Sequence, residues 1–409
     1  MLKRVLMGAT ATWALGAALA AAALGASLPA RADVSVKIGV LNDRSGPYLD
    51  ISGQPSVEAA KMAVEDFGAE KKGIHVSFVA ADHQNKPDVG SNVARQWFDQ
   101  DGVDVIVDVP NSGVALAVAK VTREKNKIFM NSGAGTSVLT GEQCSPDTVH
   151  WTYDTYALAK STATSILKQG GKTWYFLTAD YAFGHALQDD ATRFVKAAGG
   201  TVVGSVNTPF PSSDFSSFLL QAQGSGAQVI GLANAGSDTV NSIKQAAEFG
   251  VVSGGQRLAG LLVFISDVHA LGLQVAQGLN LTTAFYWDRD EGTRAWTKRY
   301  EAVNDGKVPT MDQAGVYASV LHYLKAVDAL QGKDTAAVMA KMREIPTDDP
   351  LFGHGQLRID GRVTHDMYLY QVKTPAESKY KYDYYKLLQT IPAAEAFRPL
   401  ADDNCPLVK

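Results

Sequence analysis

Short apolar runs alternate along the chain with stretches in which apolar residues recur at helical spacing. The runs at 34–41, 76–80, 103–109, 128–130, 173–177, 202–205, 229–233 and 258–262 predict strands. Several are uninterrupted by polar residues, as in parallel strands covered on both faces. Between them, Val57, Ala60, Val64 and Phe67 fall on one helical face, as do Val93, Trp97 and Phe98. The helix-to-strand junctions repeat one device. Lys72-Gly73, Asp101-Gly102, Lys125-Asn126, Gly170-Gly171, Gly199-Gly200, Gly224-Ser225-Gly226 and Phe249-Gly250 each stand where a helix must stop. Gly or Asn there supplies the left-handed residue that ends a helix. Repeated strand–helix units of this kind predict doubly wound parallel sheets.

After 279–282 the pattern changes. Helices are predicted at 291–303, 311–330 and 335–344, followed by strand-like pieces at 355–359 and 367–372. One doubly wound domain rarely needs this many strands, so two lobes are expected. No low-complexity linker separates them, which implies several close crossings. The fold class expected is α/β, with two doubly wound, Rossmann-like lobes. The first lobe is expected to comprise 33–153 and 285–345, and the second 154–284 and 346–409.

The first 32 residues read as a secretory signal. Lys3 and Arg4 supply a positive end, an Ala/Leu-rich run follows, and Ala30-Arg31-Ala32 has the small-x-small form of a cleavage site. Asp33 would begin the mature chain. The segment has no cysteine, which argues against a lipid anchor and for a periplasmic protein; an uncleaved anchor is the alternative. No later apolar run reaches the roughly 18 residues of a membrane span. The formal net charge of −4 gives no sign of a nucleic-acid partner. The two cysteines, Cys144 and Cys405, lie in polar, proline-bearing loops, and in an oxidising compartment they suggest one disulfide. Two unpaired thiols are the other reading.

In open α/β sheets ligands bind beyond the C-terminal ends of the strands. Polar, glycine-containing loops follow most of the predicted strands. Tyr48 belongs to the first, Asn111 and Ser112 to the next, and Ala134, Gly135 and Thr136 to a third. Ser112 and Thr136 offer hydroxyls beside helix N-termini, a setting suited to a carboxylate or another small polar group. Ordinary N-capping is the competing explanation for each. Tyr48, Tyr181 and Phe183 offer flat apolar walls. Asn234 follows another strand. Asp267 could receive an ammonium or hydroxyl, or cap a helix. Asp154 and Tyr156 lie near an expected lobe crossing, where they could face a cleft or only brace a hinge.

Enzyme signatures fail on inspection. Gly171-Lys172-Thr173 resembles the tail of a phosphate-binding loop, but position 166 is Ile and a strand follows instead of a helix. Gly133-Ala134-Gly135 lacks the third glycine of a dinucleotide fingerprint, since position 138 is Val. The chain has no Gly-x-Ser-x-Gly elbow and no His-Glu-x-x-His pair. His83 has no second His or Cys nearby. No catalytic residue, cofactor or metal is expected.

Taken together, Ile38-Gly39-Val40 with Ser45-Gly46-Pro47, Ala59-Ala60 with Ala63, Ser112, Gly135-Thr136-Ser137 with Leu139-Thr140, Asp180-Tyr181-Ala182-Phe183-Gly184 and Ile243-Lys244-Gln245-Ala246 resemble the periplasmic solute-binding proteins of the leucine/isoleucine/valine-binding class. The likeness spans nearly all of the chain after the signal. It implies the type I periplasmic binding fold, with two lobes joined by three hinge crossings. It also implies a monomer that delivers a small solute to the membrane permease of an ABC transporter. Ser112 and the loop from Ala134 to Thr136 match positions that hold a ligand carboxylate. Tyr181 and Asp267 fall near positions that hold an amino group, where the family usually has Glu. The family often has an aromatic residue where this chain has Asn234-Ala235-Gly236. An amino acid, an amide or an aromatic acid is therefore the expected solute. A sensor module reporting to a membrane receptor is the alternative on the same fold, and an exported enzyme is a third.

Overall fold

The structure is a computed structural model that describes residues 33–408. The signal read at 1–32 lies outside the described residues.

Strands β1 (Val34–Asn42), β2 (Ile74–Asp82), β3 (Val105–Asp108), β4 (Ile128–Asn131) and β5 (Thr148–His150) form a parallel sheet of order β2-β1-β3-β4-β5. Strands β6 (Thr173–Ala179), β7 (Thr201–Thr208), β8 (Val229–Ala233) and β9 (Arg257–Gly260) form a second parallel sheet of order β7-β6-β8-β9. The order reverses between β1 and β3 in one sheet and between β6 and β8 in the other. Those reversals open the crevices in which doubly wound sheets take ligands. The central strands are buried on both faces, which is why β3, β4 and β8 read as unbroken apolar runs.

Helices α1 (Gly53–Phe67), α2 (Pro87–Gln96) and α3 (Ser112–Lys125) connect the strands of the first lobe. The second lobe carries α4 (Thr155–Lys168), α5 (Ala182–Ala197), α6 (Ser216–Gly224), α7 (Ser237–Glu248), α8 (Ile265–Leu271) and α9 (Leu273–Ala276). After β10 (Asn280–Thr283) come α10 (Glu291–Glu301), α11 (Met311–Leu330) and α12 (Thr335–Glu344), at nearly the limits the sequence predicts. Helix α11 is buried on almost every side because it lies between α1 and the first sheet. A helix so enclosed is apolar all round. Thr310 caps it, and Gln313 answers with a bond from the Thr310 N–H to its Oε1 at 3.0 Å.

The remaining strands are β11 (Thr347–Asp349), β12 (Gly353–Leu357), β13 (Val363–Thr364), β14 (Met367–Val372) and β15 (Tyr385–Ile391), followed by the short helix α13 (Ala393–Ala396). They divide the stretch 346–409, which the sequence had suggested would stay whole in the second lobe. Strands β11–β13 make a small antiparallel sheet beside α11 and α12, where the Lys325 ammonium donates to the Asp348 carbonyl at 2.6 Å. Strand β14 pairs antiparallel with β10 on one side and with β15 on the other, and β10 and β14 lie against α4. The chain then returns, and Cys405 is disulfide-bonded to Cys144 in the first lobe.

Three crossings join the lobes, at 151–154, 284–290 and 365–366. One side chain ties two of them together. The Arg362 guanidinium is 1% exposed and donates to the Tyr153 carbonyl at 3.0 Å, to the Val363 carbonyl at 2.9 Å and to the Trp151 carbonyl. It also lies 3.5 Å from the Asp154 carboxylate and 4.3 Å from the centre of the Phe397 ring. His365 Nε2 adds a 2.9 Å contact to the Trp151 carbonyl. The Trp151 and Tyr153 carbonyls therefore both meet buried donors, as an irregular buried segment requires.

Candidate functional site

The loops after β1, β3, β4, β6 and β8 meet where the lobes face each other. In the first, the Asp43 carboxylate accepts from the Gly46 N–H at 2.7 Å, the Tyr48 N–H at 2.8 Å and the Asn85 amide at 2.7 Å. This network folds residues 43–48 into a tight turn and fixes Tyr48. The Tyr48 hydroxyl is hydrogen-bonded to the Tyr181 hydroxyl of the opposite lobe. Phe210 stacks on Tyr181 with ring centres 4.2 Å apart and lies 5.5 Å from Tyr48. The Ser237 N–H donates to the Pro47 carbonyl at 3.2 Å, a second bond between the lobes. Gly236 makes it possible. Its φ is +60°, and a Cβ there would lie 2.4 Å from the Pro47 carbonyl oxygen.

The lobes are thus closed on one another. Tyr48, Pro110, Gly133, Tyr153, Tyr181 and Phe183 close in on one another there and leave only a narrow crevice. Gly135 faces the same point, where an added Cβ would come within 2.8 Å of Phe183 and 2.9 Å of Tyr153. A larger groove of about 1080 Å³ lies on the outer flank of the second lobe, between α4 and β15. It lies away from the C-terminal ends of the parallel strands, so the inter-lobe cleft is the candidate site.

Ser112 and Thr136 come together as the third and fourth strand ends require. The Thr136 N–H donates to the Ser112 hydroxyl at 3.2 Å, and both side chains are fully buried. Asn111 caps α3 by accepting from the Val114 N–H at 3.0 Å. The Asn131 amide grips both polar groups of Ala134, accepting from its N–H at 2.9 Å and donating to its carbonyl at 2.7 Å. Ala134 therefore shapes the loop, and its backbone polar groups are already engaged.

Other residues singled out from sequence have their side chains engaged within the fold. Tyr156 points away from the cleft, its ring packed edge-on to Phe194 at 5.0 Å and beneath the Arg193 guanidinium at 4.9 Å. Asp154 braces the hinge by capping α4 at the Ala157 N–H, 2.8 Å away, and facing Arg362. Asn234 spends its amide on the first turns of α7, through Thr239 at 2.8 Å and Ser242 at 3.2 Å. Asp267 reaches back to the Phe264 N–H at 2.9 Å, capping α8 from inside its first turn.

Periodicity missed Phe210, Tyr153 and Asp312. Phe210 precedes Pro211 in a loop and Tyr153 lies in a crossing, so neither has a pattern to betray it. Asp312 is hidden inside the apolar run of α11, and an acid there was the available signal.

The electrostatics of the site are one-sided. Burial pushes the Asp267 carboxyl up to about 8, Asp238 up to about 7 and Asp108 up to about 6. Asp312 is raised well above the ordinary carboxylate range by burial first, then by the neighbouring Asp108 and Asp267. Asp108 and Val109 also hold left-handed backbone, with φ of +78° and +61°, at the end of β3. Such strain in a non-glycine residue clusters at functional sites.

A family model described as periplasmic binding protein matches residues 35–379. The chain belongs to that family. A periplasmic binding protein from Burkholderia mallei is 52% identical, covers 92% of this chain and 99% of its own, and superposes with a TM-score of 0.89. A branched-chain amino acid ABC transporter periplasmic ligand-binding protein from Burkholderia xenovorans is 42% identical, with coverages of 91% and 100% and a TM-score of 0.81. A Leu/Ile/Val-binding protein homologue from Brucella melitensis is 26% identical over 385 residues, 91% of this chain and 95% of the relative. This periplasmic binding protein is therefore a two-lobed α/β member of an extracytoplasmic, solute-binding family. Among the described residues no helix is long and apolar enough to cross a membrane.

Proposed function

We propose that the protein captures one small solute bearing a carboxylate or amide group between its lobes and hands it, unmodified, to a membrane permease. The observation that carries this reading is the closed cleft at two sheet-order reversals, lined by Gly133 and Gly135 from one lobe and by Tyr181 and Phe183 from the other, with the hydrogen-bonded pair Ser112 and Thr136 at the strand ends next to Gly135. Ser112, Thr136 and Gly135 hold the polar end of the solute. The tyrosines and Phe183 cover its apolar part. Asn111 and Ala134 order the loops that present these groups. Binding to both lobes at once supplies the differential affinity that favours the closed state. The protein acts as a monomer, is released by cleavage after Ala32 without a lipid anchor, and turns over no substrate.

Calorimetry against amino acids, aromatic carboxylates and amides tests this directly. The best solute is expected to lose about tenfold or more in affinity with Ser112→Ala, and similarly with Thr136→Ala. Unchanged affinity in both variants would sink the assignment. Chemical change in the recovered solute would argue for an enzyme instead.

A further inference from the structure

We propose that Asp312 is a specificity-determining residue of the cleft, the acceptor for an ammonium group on the solute. This rests on the solute-binding reading above and extends it to a residue of α11, outside the strand-end loops. The Asp312 side chain is fully buried, and neither carboxylate oxygen has a hydrogen-bond partner among the described residues. The other carboxylates around it are all engaged. Asp108 accepts from the Asn42 amide at 3.0 Å and from the Ser132 hydroxyl at 3.4 Å, Asp267 from the Phe264 N–H, and Asp238 from the Ser212 N–H at 3.2 Å.

The position of Asp312 ties it to the cleft. A Cβ built on Gly133 would lie 2.9 Å from Asp312 Oδ2 and 2.7 Å from the Pro110 Cα. The carboxylate therefore sits under the Pro110–Gly133 floor, at the C-terminal ends of β3 and β4, and both of those residues line the residual cavity. On its other side, Thr310 and Gln313 open onto an inter-lobe vestibule of about 1200 Å³ whose wall includes Asp50 and Glu58. No lysine or arginine lines the residual cavity. The neighbouring charges that weigh on Asp312 are those of Asp108 and Asp267, and Lys307 on the vestibule wall is not among them. A buried carboxylate without a partner is costly to keep, and a cationic group on the solute removes that cost. A solute carrying only a carboxylate would offer this group no cation.

The test uses matched pairs on the mature protein: L-leucine against 4-methylpentanoate, and L-phenylalanine against 3-phenylpropanoate, with benzoate and acetamide alongside. An amine-bearing member should bind the wild-type protein about tenfold or more tighter than its amine-free partner. Asp312→Asn should erase that preference, while the melting temperature without solute stays level or rises. The wild-type comparison does not depend on the variant folding. Equal affinity within both pairs, or an Asp312→Asn protein that keeps the preference, overturns the proposal. Binding of benzoate or acetamide with no binding of either amino acid also overturns it and leaves the solute-binding reading standing. If no solute of any class binds, both fall together.

Discussion

Asp238 and Asp267 place an unusual demand on the folded state. Each carboxyl holds its proton to higher pH when folded, to about 7 and about 8, because burial penalises the charge. Between these values and the ordinary carboxylate range the native protein binds more protons than the unfolded chain, so stability falls as pH rises. Buried His322 and His365 act oppositely, since burial lowers both to about 4. Their contribution is lost as pH falls through about 6.5, where the unfolded imidazole takes a proton. From pH 6.5 to 8 only the carboxyl effect operates. Thermal melts without solute should therefore show a midpoint that drops steadily across that interval. A midpoint that rises there would show these carboxyls to be ionised at neutral pH. At this scale the sequence is legible only where a residue's neighbours are local. Ser112 and Thr136 lie directly after strands. Tyr156 could not be read the same way, because the helix face it occupies depends on α5, which reaches it through the fold.

At the scale of elements, chain pattern translated well. Strand β8 and helices α11 and α12 form where periodicity and caps place them, because burial on both sides or a strong capping pair leaves no competing choice. Strand β15 escaped notice for the opposite reason. Only Tyr385 and Ile391 at its ends are buried, and the residues between them are exposed at a sheet edge, so it shows no alternation. Strand β5 has three residues, too few to carry a pattern. The loop 234–236 illustrates how an element can depend on one backbone angle. Gly236 there lets Pro47 and Tyr48 approach from the other lobe. Gly236→Val should weaken solute binding by about tenfold or more through lost closure, with little change in folding. Small-angle scattering with saturating solute should then report a more open average shape than wild type. Equal affinity and shape would remove Gly236 from the closing contact.

For the whole molecule, stability and motion meet at the crossings. Arg362 is held by carbonyls of 151–154 and 363, and burial lowers its guanidinium to about 10. Arg362→Met would leave the Asp154 charge and several carbonyls without partners, and should cost about 3–5 kcal/mol in urea unfolding. A loss under about 1 kcal/mol would mean that water replaces the side chain, as it does for exposed pairs. Removing the bridge with a Cys144→Ser, Cys405→Ser double variant should cost about 2–5 kcal/mol in the same measurement. An unchanged unfolding curve would mean that the tail is held by Arg358, Arg398 and Asp403 alone.

That bridge also imposes an order on assembly. The two cysteines are separated by 261 residues, and Cys405 follows every strand and helix of both lobes. During synthesis and export, Cys144 emerges long before its partner and must wait as a reactive thiol. An oxidant that meets it early can only pair it with another molecule. The mature clasp is therefore a record that the chain emerged at least as far as Cys405, and a thiol-trapping assay on nascent protein would read the moment at which it closes.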